Sequence, residues 1–291
     1  MIDFAKLHAL GNDFLVVPLP EQEGHQIAYA SLTRSMCERR TGIGADGIVY
    51  YRPTVADADA DFSVLIFNSD GSRAEMSGNG IRCLAAYLVC SGAVPAGVVR
   101  LRTVAGLRTL VLRDAAEPDY VFEAEMGVPI TDPARIPAAL GEPGVPVVDQ
   151  RLHISGESFS VTLSSMGNPH CTTFWESVAD VPVERYGTLL ERSVPFPGGT
   201  NVEFVQVVDR HTLRVRFWER GAGLTLSSGT GSSAAAVAAV LSGRAESPIR
   251  VVTELGFLDV VWNPGQELRL TGPATVVCVG TYPNRGPSTI Q

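Results

Sequence analysis

Two short segments of the sequence place a serine directly before a Gly-x-Gly turn and an alanine-rich apolar run. The first, SGNGIRCLAAYLVCSG, begins at Ser77, and in the second, SSGTGSSAAAVAAVLSG, the corresponding serine is Ser228, 151 residues later. Glycine lets backbone N–H groups approach a ligand closely, and a helix N-terminus supplies unpaired donors and a positive dipole end. The pair therefore predicts a carboxylate or phosphate cradle at two helix ends. Because serine is a favoured N-cap residue, simple capping is the alternative for each motif taken alone.

The sequence around these motifs is also repeated. FNSDG at 67–71 and FWERG at 217–221 each end a strand pattern ahead of the serine, and ALGNDF at 9–14 matches SMGNPH at 165–170. Both halves run from a Gly-Asn turn through a strand and a Ser-Gly-x-Gly element to a helix. This order predicts an internal duplication, and duplicated half-domains commonly hold a ligand in the cleft between them.

Strand patterns dominate the rest of the chain. β-branched and aromatic residues fill most segments between turn signals, and helical patterns are confined to 27–39, 78–91, about 184–192 and 229–241. The sequence therefore predicts the α+β class with mainly antiparallel sheet, and the Pro- and Gly-rich stretch 132–151 predicts a linker or boundary. We expect an N-terminal half-domain at 1–125, completed by 274–291, and a C-terminal half-domain at 126–273, with the ligand cleft between them.

The composition excludes several function classes. The chain has 291 residues, of which 45% are apolar and 19% are charged, as is typical of a globular protein. Its net charge of −8 does not favour binding to nucleic acid or to an anionic membrane. No apolar run approaches the ~20 residues that cross a bilayer, and the N-terminus shows no signal-peptide pattern. The five cysteines have no metal-ligand spacing. We therefore expect a cytoplasmic protein with reduced thiols, no metal, and neither nucleic acid nor membrane as a partner.

One motif resembles a dinucleotide fingerprint. Gly42, Gly44 and Gly47 form a G-x-G-x-x-G pattern, but it leads into the strand pattern IVYY instead of opening a helix. We interpret it as a tight turn.

Several blocks of sequence, in one order along the chain, resemble the diaminopimelate epimerase family within the PLP-independent amino-acid racemase superfamily. The blocks are LHALGNDF, RRTGIGADGIV, FNSDGSRAEMSGNGIRC, MGNPHC, GTNVEFVQVVDRHTLRVRFWERGAG and SSGTGSSAAAVAA. The resemblance implies two pseudo-symmetric halves, each a mainly antiparallel sheet wrapped around a central helix. It implies an isomerase that converts LL- to meso-diaminopimelate in lysine and peptidoglycan precursor biosynthesis. A homodimer is in keeping with the family, but no residue pattern requires one.

The family reaction inverts a carbon next to a carboxylate. One acid/base side chain removes the α-proton from one face, and its partner returns a proton to the other, while fixed donors stabilise the carboxylate. PLP, the usual alternative electron sink, requires a Schiff-base lysine, and Lys6, in a terminal strand, is the only lysine. No cofactor is therefore expected.

The resemblance assigns site residues for a dicarboxylic diamino acid. The α-carboxylate would be held by the backbone amides of Gly78, Asn79, Gly229 and Thr230. The amino and distal carboxylate groups would be bound by Asn12, Asn68, Asn168 and Asn201. Arg220 would bind the distal carboxylate through two parallel hydrogen bonds. His170 and Glu219 are similar to the family's auxiliary polar pair beside the bases, and Glu219 would also contact the substrate. The structural alternatives are turn residues for Asn12 and Asn168, a core histidine for His170, and a surface ion pair for Arg220 with Glu219.

The sequence departs from the family at the bases themselves. Ser77 and Ser228 stand where the family has two catalytic cysteines, and Leu224 stands where the family usually has glutamate. A thiol has a pKa of about 8.5, lowered further at a helix N-terminus, whereas a serine hydroxyl is a far weaker acid. Proton abstraction by serine is therefore expected to be slower by orders of magnitude.

Three alternatives follow from this departure, so that enzymatic turnover stays open. The chain is an engineered double Cys→Ser form that traps substrate, or an epimerase whose serines are activated by other groups. The remaining alternative is a paralogue, either a silent or regulatory amino-acid-binding protein or an isomerase or dehydratase acting on a related small carboxylic acid. Serine or threonine at one of the two positions is similar to the pattern of other branches of the superfamily, such as hydroxyproline epimerases and dehydratases.

Overall fold

The computed structural model describes residues 1–19, 29–54, 57–95 and 97–283. Within these ranges the chain forms mostly strand, with four α-helices. The helices are α1 Tyr29–Cys37, α2 Gly78–Cys90, α3 Val183–Glu191 and α4 Gly229–Leu241. No helix in the described ranges is long and apolar enough to cross a membrane.

The chain divides into two compact units. The first comprises Met1–Ala9, Asp13–Val121 and Ala274–Gln291, as far as these are described, and the second comprises Leu10–Asn12 and Phe122–Pro273.

The first unit is built from strands of the N-terminal half and the end of the last strand. These are β1 Ile2–Ala9, β2 Asn12–Pro18, β3 Gly47–Pro53, β4 Phe62–Asn68, β5 Arg73–Ala74, β6 Val98–Thr103, β7 Gly106–Ala116, the start of β8 Asp119–Gly127 and the end of β17 Leu268–Tyr282. β1 pairs antiparallel with β17, from Ile2 opposite Tyr282 to His8 opposite Thr275. A cluster of buried side chains, among them Leu15, Met36, Ile48 and Tyr50, packs α1 against β2 and β3.

The second unit is built in the same way from the C-terminal half. Its strands are β9 Gln150–Ile154, β10 Glu157–Ser165, β11 Pro169–Phe174, β12 Asn201–Asp209, β13 Thr212–Glu219, β14 Gly223–Thr225, β15 Ile249–Thr253 and β16 Gly256–Val261, together with the start of β17. Alternate residues of β10, β11 and β12, such as Leu163, Cys171 and Phe204, lie in a core shared with Leu190 of α3.

The order of elements and the type of pairing occur twice. β2 runs parallel to β3, β3 antiparallel to β4, β4 antiparallel to the short β5, and β4 parallel to β6. β11, β12, β13, β14 and β15 repeat this series in the second unit. α2 follows β5 as α4 follows β14, and hairpins β6–β7 and β15–β16 close the two series.

The helices that follow the serines are buried on most sides. Ten of the thirteen residues of α2 and eleven of the thirteen of α4 are buried. A helix that is apolar around its circumference belongs in a core, and the small side chains of α4 let neighbouring strands approach closely.

The predicted helices and the mainly antiparallel pairing are confirmed, with bounds within a few residues; residues 27 and 28 of the first helical prediction lie outside the described ranges. The turn interpretation of the G-x-G-x-x-G motif is also confirmed. Gly44 donates to the Met36 carbonyl in the last turn of α1, Gly42 donates to the Glu38 carbonyl just after it, and the chain then enters β3. A Cβ at Gly42 would lie 2.3 Å from the Ser35 carbonyl oxygen, so only glycine fits there.

The linker interpretation of 132–151 is wrong. Ile136 and Val147 are buried in the core of the second unit, and the Leu163 N–H donates to the Val147 carbonyl at 3.0 Å. The segment is rich in Pro and Gly because it runs irregularly over its own core, beginning with a single 3-10 turn at Pro133–Arg135.

Candidate active site

Ser77 and Ser228 occupy the same structural position in the two units. Each is the N-cap of its helix, with φ −142° and ψ 112° at Ser77 and φ −141° and ψ 125° at Ser228. The Ser77 hydroxyl accepts from the Gly80 N–H at 3.0 Å, and the Ser228 hydroxyl accepts from the Gly231 N–H at 3.2 Å. The capping role and the position at the head of each helix are therefore both present.

The second glycine of each motif lies in a closely packed position. A Cβ at Gly80 would lie 3.3 Å from the Ser77 side chain and 3.1 Å from Val49. A Cβ at Gly231 would lie 2.8 Å from the Phe217 ring. A larger residue would press on the capping serine or on the ring behind it, so the Gly-x-Gly spacing holds each hydroxyl in place.

The first amides of α4 are available to a ligand. The first N–H groups of a helix have no intrahelical carbonyl, and the serine cap takes only the third of them. In the described part of the chain, the amides of Gly229 and Thr230 make no hydrogen bond. Beside them, the Ser227 hydroxyl is buried and has no hydrogen-bond partner among the described residues. This helix end therefore presents several polar groups that the protein itself leaves unsatisfied.

The first turn of α2 contains a buried cation that the sequence interpretation missed. Arg82 is fully buried and donates to the Gly78 carbonyl at 3.0 Å and to the Asn79 side-chain oxygen at 2.6 Å. Burial lowers the pKa of Arg82 to about 10, which leaves the guanidinium charged at neutral pH. At the equivalent position of α4, Ser233 donates to the Gly229 carbonyl at 2.9 Å. The visible signal was an arginine inside the otherwise apolar run that follows Ser77.

The single lysine of the sequence is held in an ion pair. Lys6 Nζ lies 2.9 Å from an Asp13 carboxylate oxygen and donates to the Gly44 carbonyl at 2.6 Å. Arg39 holds the same carboxylate at 2.8 Å. Burial alone would raise the pKa of Asp13, but the hydrogen bonds from Arg39 and Lys6 outweigh it and lower that pKa. The cluster thus fixes the start of β2, directly after Asn12.

Asn68 lies at the end of β4, where the FNSDG segment predicted the end of a strand. Its side-chain N–H donates to the Ser72 hydroxyl at 3.0 Å, across the tight turn that leads to β5. The side chain is exposed, and the turn fixes its direction.

The second unit contains a buried His–Glu pair. His170 and Glu203 are each 1% exposed, and His170 Nδ1 lies 2.6 Å from a Glu203 oxygen. The other Glu203 oxygen accepts from the Thr172 hydroxyl at 3.2 Å. His170 Nε2 lies 3.0 Å from the Asn168 side-chain oxygen. His170 is thus joined to Asn168, another predicted site residue, while Glu203 and Thr172 were missed because a carboxylate and a threonine in a strand pattern are unremarkable.

Asn201 links three strand ends. The side-chain N–H of Asn201 donates to the Pro169 carbonyl at 2.8 Å, and its side-chain oxygen accepts from the backbone N–H of Arg220 at 3.0 Å. Each end of the amide retains one further bonding position, since an amide nitrogen has two hydrogens and an oxygen two lone pairs.

Glu219 and Arg220 follow from the end of β13. Glu219 accepts from the Thr225 hydroxyl at 2.8 Å, and Arg220 donates to the Gly198 carbonyl at 3.2 Å.

Strand directions explain why these residues converge. β11 and β12 run parallel and begin at Pro169 and Asn201, and β13 runs antiparallel and ends at Glu219. The starts of the first two strands and the end of the third meet at one sheet edge. In the first unit the start of β2, near Asn12, and the end of β4, at Asn68, share an edge in the same way.

The buried cysteines are poorly suited to act as thiol bases. Burial raises the pKa of Cys83, inside α2, to about 12, and burial with nearby carboxylates raises the pKa of Cys37 to about 12. Burial also raises the pKa of Cys171. Such thiols are unreactive. Across the residues that the structure describes, no group of three His, Cys, Asp or Glu side chains is placed to hold a metal ion.

Comparison with known proteins gives one family. The model of the diaminopimelate epimerase family matches residues 4–131 and 162–277. A protein of Nostoc sp. named diaminopimelate epimerase 1 is 42% identical over 282 residues, which cover 96% of this chain and 99% of that protein. A diaminopimelate epimerase of Synechococcus sp. is 43% identical over 286 residues, covering 96% of this chain and 98% of that protein.

A solved structure shows the same fold at much lower identity. The hydroxyproline epimerase of Agrobacterium vitis, with bound trans-4-hydroxy-L-proline, matches with a TM-score of 0.70 and 16% identity, covering 96% of this chain and 91% of that one. This likeness shows the fold alone, and it agrees with the expected chain of mostly strand with few helices.

Proposed function

The chain belongs to the diaminopimelate epimerase family, and we propose that it binds diaminopimelate at its two serine-capped helix N-termini, without a cofactor. The observation that carries the proposal is the family match over nearly the whole chain. The capping geometry of Ser77 and Ser228 supports it, because each serine caps its helix through the third helical amide and so lies beside the first two.

The α-carboxylate is placed on the first amides of α2 and α4. A helix N-terminus favours negative charge through its dipole and its unpaired N–H groups. The unbonded amides of Gly229 and Thr230 and the buried Ser227 hydroxyl support this assignment at α4. The buried guanidinium of Arg82 supports it at α2, because a positive charge behind the first turn adds to the dipole.

The distal end of the substrate is assigned to the edges of the two sheets. Arg220 suits a carboxylate because its guanidinium offers two parallel donors. Asn12, Asn68, Asn168 and Asn201, which lie at or near strand starts and ends, provide neutral donors and acceptors for the amino groups and the distal carboxylate.

We infer that the chain binds diaminopimelate but exchanges its α-proton only slowly. Each serine oxygen is the acceptor of an N-cap hydrogen bond, and among the described residues neither hydroxyl is bonded to a basic side chain. Lys6 is occupied by Asp13. Without a base, a serine hydroxyl is too weak an acid to supply the oxyanion at neutral pH. A silent or regulatory amino-acid-binding protein is therefore the second candidate function.

We further propose that the two units are pseudo-symmetric halves with α2 and α4 as their central helices. The repeated order of pairings and the burial of both helices support this arrangement.

The test is exchange of the α-proton of LL-diaminopimelate in D2O, followed by NMR, together with calorimetry of binding. The protein is compared with the double variant Ser77→Cys/Ser228→Cys. We expect binding by both proteins and exchange by the cysteine variant, faster than the serine protein by orders of magnitude.

The matched control is Ser91→Cys/Ser242→Cys. These serines are the C-caps of the same two helices, so the control makes the same chemical change at the opposite ends. Equal exchange by the serine protein and the cysteine variant would contradict the inference about serine. Absence of binding by the serine protein would overturn the substrate assignment.

A further inference from the structure

Glu203 is a buried carboxylate that has no assigned role in substrate binding or proton transfer. Its side chain is 1% exposed and lies on β12, opposite Thr172 of the parallel strand β11. An ionised carboxylate is costly to bury unless it is paired and hydrogen-bonded. Both of its oxygens are bonded, one to His170 and one to Thr172.

We propose that Glu203 is a positioning residue that fixes the ring orientation and the tautomer of His170. The inference rests on the proposed function, because it concerns the histidine that lies next to Asn168 at the predicted substrate site. An ionised carboxylate can only accept, so at 2.6 Å the Nδ1 atom of His170 carries the hydrogen and donates it. Nε2 is then the nitrogen that gains or loses a proton.

Asn168 completes this arrangement at Nε2. The amide oxygen lies 3.0 Å from this nitrogen, an arrangement that suits a protonated ring, and rotation of the amide by 180° would present its N–H to a neutral ring. His170 therefore keeps a partner in both states, which suits a group that moves a proton. The same logic, a buried acid on one ring nitrogen and chemistry at the other, governs the His–Asp part of serine hydrolases.

The strands hold the pair rigidly. His170 lies opposite Asn201 on β12 and opposite Ser164 on β10, so it has a strand on each side. Thr172, two residues further along β11, donates to the second oxygen of Glu203. The carboxylate therefore cannot rotate away from the ring without breaking a second hydrogen bond.

The first experiment is NMR of the protein labelled with 15N-histidine, in which the five histidines are distinguished by the signal lost in His170→Asn. We expect the His170 hydrogen on Nδ1 in the unaltered protein and a mixture of tautomers in Glu203→Gln, because a glutamine can offer either an acceptor or a donor to Nδ1. Glu157→Gln is the control, since it makes the same change at a glutamate of this unit that pairs with Arg185. A neutral ring with its hydrogen on Nε2 in the unaltered protein, or an unchanged tautomer in Glu203→Gln, would overturn the proposal.

The second experiment links the tautomer to chemistry. In the Ser77→Cys/Ser228→Cys background, Glu203→Gln should lower the rate of α-proton exchange by about 10²-fold, at the lower end of what a general acid or base contributes, with less than about a threefold change in KM. A merely structural role would change melting temperature and KM without this split. Lack of diaminopimelate binding by the unaltered protein would defeat the proposed function, while the NMR result would still decide the role of Glu203.

Discussion

Serine and cysteine are similar in size and differ mainly in acidity and in the strength of their hydrogen bonds. A serine oxygen is a good acceptor and stabilises a helix as an N-cap by about 1 kcal/mol relative to alanine. Sulfur is a weak acceptor. Ser77 and Ser228 therefore provide firm caps and poor bases. It also follows that the cysteine variant used to test turnover should be somewhat less stable, which a melting curve must establish before rates are compared.

Single residues also determine how the protein responds to acid. Asp13 is ionised in the folded protein at a pH where an unpaired aspartate would be protonated, because Arg39 and Lys6 hold its carboxylate. A lowered folded pKa means that the unfolded chain binds more protons, so this contribution to stability is present above the ordinary pKa of 3.8 and is lost as pH falls through the folded value. We expect the free energy of unfolding to fall below about pH 4, and Asp13→Asn to remove part of that fall.

The measurement is urea unfolding of both proteins at several pH values between about 3 and 7. At neutral pH, Asp13→Asn should be less stable than the unaltered protein, since Lys6 and Arg39 then lose their carboxylate. Asp180→Asn, at an exposed aspartate of the second unit, is the control. Parallel pH profiles for the unaltered protein and Asp13→Asn would show that the cluster makes no contribution to acid sensitivity.

At the scale of elements, α2 and α4 share a side-chain hydrogen bond to the first helical carbonyl, but different residue types donate it. The fifth helical residue of each, Arg82 or Ser233, bonds back to the carbonyl of the first glycine. Only Arg82 brings a charge, and it also holds Asn79. Its removal takes away two buried hydrogen bonds.

We therefore predict that Arg82→Met destabilises the protein by about 2–4 kcal/mol, because it removes two buried hydrogen bonds donated by a charged group, and such bonds contribute about 1.5–3 kcal/mol each at most. Ser233→Ala, which removes the equivalent bond in α4, should cost no more than about 1 kcal/mol. Urea unfolding gives both values. In calorimetry, Arg82→Met should weaken diaminopimelate binding more than Ser233→Ala does. Equal losses of affinity would mean that the charge behind the first turn of α2 has no effect on the ligand.

Periodicity in the sequence was sufficient for long elements and insufficient for short ones. The buried runs of α2 and α4 and the apolar alternation of β10 and β12 predict their own structure. β5 and β14, of two and three residues, show no period, because strands so short are set by pairing with β4 and β13. Likewise, the motifs indicated Ser77 and Ser228, but Arg82 and Glu203 act through contacts that only the folded chain creates.

For the whole molecule, the proposed function predicts that one ligand protects a helix N-terminus in each unit from hydrogen exchange. Each serine lies in a different unit, so a ligand that uses both helix ends must protect both helices. The first intrahelical bonds run from the Ile81 amide to the Ser77 carbonyl and from the Ser232 amide to the Ser228 carbonyl. Ligand at about 100 times its Kd should slow exchange of these amides by up to about 100-fold, because binding shifts the opening equilibrium by RT ln(1 + [L]/Kd).

Hydrogen exchange with and without meso-diaminopimelate measures this directly. The amides of Ser91 and Ser242, at the other ends of the same helices, are internal references, since they bond to the Tyr87 and Ala238 carbonyls. L-lysine, which lacks the distal carboxylate, should protect the helix N-termini much less at the same concentration, because Arg220 then has no anion to bind. Protection of α4 without α2 would show that the second unit alone holds the ligand. In that case the two serines would be equivalent caps without being two parts of one site.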